Sequence, residues 1–345
     1  MRKILAGLSI ALLGVTVSAA PPAGSAPADR AHAVVIVSGG AATSPFTTPD
    51  AGCASGLAAG NTDTAIRRHL VDQGHEVYTS PAMAGRGRVT DQTGFGPFGD
   101  CPITLPEIMT VDSTGSIDTA GEHLARFLNY LDTERGVDQI DLVAHSMGGL
   151  YSRAAIKVLQ STGAPMRIRS LTTLGTPWQG SFLSDYAGDT IGLDACLGDQ
   201  FCEQSMEGFR DEVVRRVSGS GREVSRAYLM GPQGWNAAQA GVLDGIPVVL
   251  VGGDAFARPG PVDPAVWPND GIVALRSALA MDVDDAVLPH RRCATVDDAH
   301  SIYVASLKAM PETSALTWDP RVFALVDEAL ATAPEALGTP NRVGC

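Results

Sequence analysis

Beyond its first twenty residues the chain has no apolar run approaching the roughly 20 residues that span a bilayer, which argues against a helical membrane fold for the remainder. Basic residues are scarce, Lys and Arg numbering 25 against 38 Asp and Glu, for a formal charge of −13. A surface of that sign repels nucleic acid and anionic headgroups, so no nucleic-acid partner and no stable membrane insertion are expected. None of the six cysteines stands in metal-ligand spacing with histidine, so no metal centre is expected either. Internal repeats are absent and low complexity is confined to an Ala/Pro-rich leader, which excludes solenoids and arrays.

What is present begins with Arg2 and Lys3, an uncharged run over 4–17 and S-A-A at 18–20, the pattern of a signal peptide. Residues 1–30 are therefore read as signal peptide and flexible leader, the protein is expected to be secreted, and residues 31–345 are expected to form one domain with insertions. Export makes disulfides available. The expected pairs are Cys53 with Cys101, Cys196 with Cys202, and Cys293 with Cys345, because nearest-neighbour closure staples three irregular regions without crossing a central sheet.

From Ala33 onward, short β-branched runs alternate with longer segments of helical period, the pattern of a mostly parallel sheet with helices on both faces. Strands are expected at 33–37, 76–79, 140–144, 168–174 and 247–251, with a weaker sixth at 286–288. Ile117, Ala120, Leu124, Phe127, Leu128 and Leu131 recur at helical spacing, and Gly136 ends that helix. Residues 80–115 have no periodicity and read as a long loop. The stretch 178–245 breaks the strand rhythm and carries helical patterns of its own, such as 209–217, so a cap insertion is expected over about 182–245. Within it, 182–209 lacks a continuous helical pattern. Its Phe182, Leu183, Tyr186, Ile191, Leu193 and Phe201 are expected to pack toward a pocket beneath, as a cap whose movement admits large substrates or as a permanently packed subdomain.

The strand I-D-L-V-A runs directly into H-S-M-G-G and then the helical L-Y-S-R-A-A-I-K-V-L. Ser146 thus sits on a strand-to-helix turn, which lifts its hydroxyl above the sheet and demands tiny residues two before and two after it. Ala144 and Gly148 meet that demand, alanine standing where glycine is usual. The run 137–150, followed by L-T-T-L-G-T-P-W-Q-G-S at 171–181, resembles the secreted bacterial lipases of the α/β-hydrolase superfamily. That resemblance implies an α/β-hydrolase fold and ester hydrolysis, often of water-insoluble acyl glycerols, with no cofactor.

A triad in this fold runs serine, acid, histidine in chain order, so of seven histidines only His290 and His300 can serve as base. His300 lies in a polar loop leading into an apolar helix, whereas Arg291 and Arg292 beside His290 would oppose its protonation. His145, next to the nucleophile, is read as structural. The segment after the strand at 247–251 offers Asp254, Asp263 and Asp270; N-D-G-I-V resembles the acid loop of the same lipases and places the acid at Asp270, with Asp254 the alternative. Its carboxylate would fix the imidazole tautomer. An oxyanion hole takes one backbone amide after the nucleophile, from Met147, and one after an early strand. The resemblance assigns the second to Gly40, with Ser38 in place of the family's histidine. Trp178 is expected at the mouth of the acyl side, with a buried core position as the alternative. A lipid or other ester is the expected substrate. A secreted acyltransferase with the same triad and a non-catalytic lipid-binding protein on this scaffold are the alternatives, and the intact serine, histidine and acid stand against the second.

Overall fold

The computed structural model describes residues 32–50, 62–90, 103–215, 219–332 and 341–345. The leader 1–30 and the expected Cys53–Cys101 pair lie outside the described residues. In chain order the elements are β1 (His32–Val37), α1 (Thr64–Asp72), β2 (Val77–Thr79), β3 (Ala82–Met83), β4 (Val111–Asp112), α2 (Ile117–Arg135), β5 (Gln139–His145), α3 (Gly148–Thr162) and β6 (Arg167–Leu174). There follow α4 (Phe182–Ala187), α5 (Gln200–Arg215), α6 (Ser220–Glu223), α7 (Arg226–Met230), β7 (Val248–Gly253), α8 (Leu275–Ala278), β8 (His290–Val296), α9 (Ile302–Leu307), α10 (Pro320–Ala331) and β9 (Asn341–Val343).

Among the described residues β2-β1-β5-β6-β7-β8-β9 form one sheet in that order, every neighbouring pair parallel. Parallel strands bury both faces, which explains why their sequences run apolar without alternation. In β1, Ala33, Val35 and Val37 face a layer containing Leu124, Phe127 and Leu128 of α2 and Leu150, Ala154 and Ile156 of α3. Val34 and Ile36 face the opposite layer, with Ile66 and Leu70 of α1 and Val322 and Val326 of α10. Helix α2 starts where Ser116 Oγ accepts the Thr119 amide and stops at Gly136 in the left-handed conformation, φ 71°. That start and stop satisfy backbone groups the helix leaves unpaired.

Because all the strands point the same way, the loops after β1, β5, β6, β7 and β8 leave the same edge of the sheet, where this class of fold builds its sites. The expected fold class is the observed one, with differences in detail. Residues 286–288 belong to no strand: 285–287 form a turn, the Val287 and Leu288 amides both donate to the Asp284 carbonyl, and the apolarity of Val287 and Leu288 serves the core. The sixth strand is β8 instead, hidden by its H-R-R start. Arg291 is buried there because the Ala280 and Val283 carbonyls and Asp285 take its guanidinium. The loop read over 80–115 contains β3 and β4, which pair with each other. Helix α5 begins nine residues before the helical pattern at 209–217, burying Cys202, Met206 and Val213 along one side. The expected Cys196–Cys202 and Cys293–Cys345 disulfides are both formed, the second tying β8 to the end of the chain.

Candidate active site

The site is built at the end of β5. Ser146 follows the strand directly and has φ 54°, a left-handed conformation in a non-glycine residue that costs on the order of 1–3 kcal/mol and persists only where the surroundings impose it. They do so here from β6 and the turn after it: the Ser146 amide donates to the Leu174 carbonyl at 2.8 Å, and Thr176 Oγ1 donates to the Ser146 carbonyl at 2.7 Å. Gly148 shows why the turn needs a small residue, since a Cβ there would stand 2.4 Å from the Val37 carbonyl oxygen.

Asp270, in the loop after β7, and His300, after β8, meet behind the serine's edge. His300 Nδ1 lies 2.7 Å from Asp270 Oδ2, both residues being buried. The other carboxylate oxygen accepts the Ile272 amide at 3.0 Å and the Val273 amide at 2.7 Å, so three donors hold the group. Asp254 is elsewhere, its carboxyl raised above the usual range by burial and by the charge of Asp297. Asp297 and Asp298 pair with Arg321. His290 opens β8 and so sits at the far end of the strand from His300.

His145 precedes the serine with its ring against that of His300, centroids 4.7 Å apart, and its Nε2 donates to the His300 carbonyl at 2.8 Å. Burial, then the neighbouring His300, lower its pKa to about 3, so the ring is neutral. After β1, Gly40 and Met147 lie together: a Cβ on Gly40 would come within 2.7 Å of Met147 Sδ. Among the described residues neither the Gly40 nor the Met147 amide donates to a backbone carbonyl, whereas the next amide, Ala41, is engaged by Ser113 at 3.1 Å. Ser38, where the resembling lipases carry histidine, hydrogen-bonds Asp63 and, at 2.7 Å, Ser44. Burial raises the Asp63 carboxyl above its ordinary range.

A cavity of about 430 Å³ opens over these groups, and Gly40, Ser146, Met147 and His300 all line it. Its walls are apolar: Phe209 and Val213 from α5, Val224, Ile272 and Val273, and Tyr303 and Leu307 from α9. Trp178 is not among the lining residues. It is fully buried under the elbow, its indole N–H on Thr173 Oγ1 at 3.1 Å and its ring covered by the Arg153 guanidinium, so the expectation of a residue at the mouth is corrected to one in the core. Phe182, Leu183 and Tyr186 likewise pack away from the cavity, against Val266 and Trp267 around the Cys196–Cys202 bridge. The sequence reading missed three contributors. Thr176 and Gly175 sit in the already suspect L-G-T-P run, and His145 stands beside the serine. Gly175 has φ 62°, and a Cβ there would lie 3.0 Å from both His300 Nδ1 and Asp270 Oδ2.

The chain has the α/β-hydrolase fold. A Bacillus licheniformis lipase in propeptide form aligns over 93% of this chain and 54% of its own, at 14% identity and a TM-score of 0.50. At the level of sequence, residues 107–195 match the family described as "Putative serine esterase (DUF676)". Triacylglycerol lipases of Pseudarthrobacter phenanthrenivorans and Burkholderia plantarii are each 35% identical over 74 residues, or 21% of this chain. Those alignments span only 22% and 19% of the two lipases' own lengths.

Proposed function

We propose that the protein is a secreted serine hydrolase of carboxylic esters. The observation that carries this reading is the buried Asp270–His300 pair, whose histidine lines one apolar cavity together with a serine on a strained elbow. Ser146 Oγ attacks the acyl carbonyl while His300 Nε2 takes its proton, and the Asp270 carboxylate stabilises the imidazolium without accepting that proton. The carbonyl oxygen, now negative, is met by the Gly40 and Met147 amides. His300 then protonates the leaving alcohol, and water attacks the acyl-enzyme with the same residue as base, releasing the acid and restoring Ser146. The scheme uses no cofactor. The aliphatic and aromatic walls suit an acyl chain, which favours lipid or other water-insoluble esters.

Fluorophosphonate labelling of the native chain should fall on Ser146 and vanish in Ser146→Ala, and a chain-length series of nitrophenyl esters should be cleaved by the native chain alone. His300→Ala should lower turnover by at least ~10³, and Asp270→Asn by roughly 10⁴ through the wrong tautomer, while His290→Ala and Asp254→Asn leave it near native. Labelling that survives Ser146→Ala, or equal loss in both members of either comparison, would overturn the assignment.

A further inference from the structure

We propose that His145 is a positioning residue for the base: its ring N–H holds the main-chain carbonyl of His300 and thereby fixes His300 relative to the nucleophile next to His145 in the chain. The inference rests on Ser146, Asp270 and His300 being the reacting groups. Three hydrogen bonds tether His300 among the described residues. Its amide donates to the Asp270 carbonyl at 2.8 Å, its Nδ1 donates to Asp270 Oδ2 at 2.7 Å, and its carbonyl accepts from His145 Nε2 at 2.8 Å.

The first two tethers come from one residue, on the loop after β7. Both tethers therefore refer the base to that loop and neither to the serine. Only the third bond ties the base to the strand that carries the serine, and it does so across the ends of β6 and β7, which separate β5 from β8 in the sheet. Transfer of a proton between Ser146 and His300 depends on their separation, and a shift of about 1 Å can cost about 10²-fold in rate. His145 is 5% exposed, so water has little access to replace a lost donor.

The same bond fixes the tautomer of the His145 ring, because a carbonyl accepts only and so a proton must reside on Nε2, while burial keeps the ring neutral. His300 therefore takes the serine proton beside an uncharged neighbour, although the two rings lie 4.7 Å apart. A side chain at 145 must thus reach the His300 carbonyl, donate to it and carry no charge. Glutamine can do all three, leucine fills the space without donating, and asparagine carries its amide one bond short.

The test compares His145→Leu, His145→Gln and His145→Asn by steady-state cleavage of a nitrophenyl ester and by the rate constant of fluorophosphonate labelling. The expected result is a fall of about 10- to 100-fold in kcat and in labelling rate for His145→Leu, with KM within about twofold of native, and recovery to within about threefold of native in His145→Gln. Should the leucine variant not fold, His145→Asn set against His145→Gln carries the same expectation. Native-like rates without a donor, a loss carried by KM, or a glutamine variant no faster than leucine or asparagine would overturn the proposal. A native chain labelled at Ser146 that cleaves no ester would remove the hydrolase reading alone, because the labelling rates still decide the part played by His145.

Discussion

At His145 the burial that keeps the imidazole neutral also makes acid stability a readout of one side chain. In the unfolded chain the ring takes a proton near pH 6.5, whereas burial and the neighbouring His300 hold it neutral in the folded protein down to about 3. Below pH 6.5 the unfolded state therefore binds a proton that the native state refuses. This residue's contribution to stability is complete above that pH and is lost as pH falls toward about 3, at up to about 1.4 kcal/mol per pH unit. His145→Gln removes the titration, so denaturant unfolding of both proteins at about pH 7, 5.5 and 4 should show the difference tilting toward the variant as pH falls. A difference constant across the three would contradict the assignment. Trp178 gives a second prediction at this scale. Trp178→Phe keeps most of the buried ring and loses the N–H bond to Thr173, so it should cost about 1 kcal/mol or more in stability and leave KM for short esters unmoved. A raised KM with native stability would return Trp178 to the substrate site.

Between elements, Arg153 of α3 does the joining. Its guanidinium lies 4.4 Å from the Trp178 ring and 4.7 Å from the Trp235 ring, and Nη1 donates to Asn236 Oδ1 at 2.7 Å. Asn236 in turn donates to the Trp178 carbonyl, and Trp235 to Asp118 of α2. The chain after α7 is thus fastened to the helix behind Ser146. Burial lowers the guanidinium pKa to about 9, and among the described residues its Nε and Nη2 have no partner, so the two aromatic faces stand where a carboxylate would be expected. Arg153→Ala should lower the unfolding free energy by roughly 2–5 kcal/mol, since it opens a cavity and leaves Asn236 Oδ1 unpaired. Urea unfolding checks this, and a change under 1 kcal/mol would show that the sandwich contributes little. Legibility in the sequence divides at this scale as well. The strand–elbow–helix around Ser146 is specified by adjacent residues and could be read directly. Strand β8 could not, because Arg291 is made buriable by Ala280, Val283 and Asp285, which approach only in the folded chain. The start of α5 was obscured by its charged exposed side. Asp270, chosen through likeness to known acid loops, lies against His300 in the folded chain. His145 offered no signal beyond its place beside the serine, since its partner lies 155 residues away.

For the whole molecule the question is how substrate reaches the serine. From the sequence, the apolar residues of 182–209 are expected to cover the pocket, either as a cap that moves aside at an interface or as a permanently packed subdomain. The structure places Phe182, Leu183 and Tyr186 in a cluster with Val266, Trp267 and the Cys196–Cys202 bridge, each already partnered. Among the described residues of that segment only its last, Phe209, reaches the cavity; the wall continues with Val213 of α5 and with α9, where Tyr303 and Leu307 line the cavity while remaining 53% and 76% exposed. Side chains that line a cavity and meet solvent at once mark an open mouth. Lifting the 182–209 segment would also break its own packing, each large buried apolar side chain contributing on the order of 1.5–3 kcal/mol. Dissolved monomeric ester should therefore enter without prior opening. Activity on a short-chain ester followed from dilute solution into an emulsion is expected to saturate smoothly through the solubility limit. A sharp rise at the limit would mean that an interface displaces part of this wall, and a disulfide linking α5 to α9 across the mouth should then abolish the rise while sparing cleavage of the smallest esters.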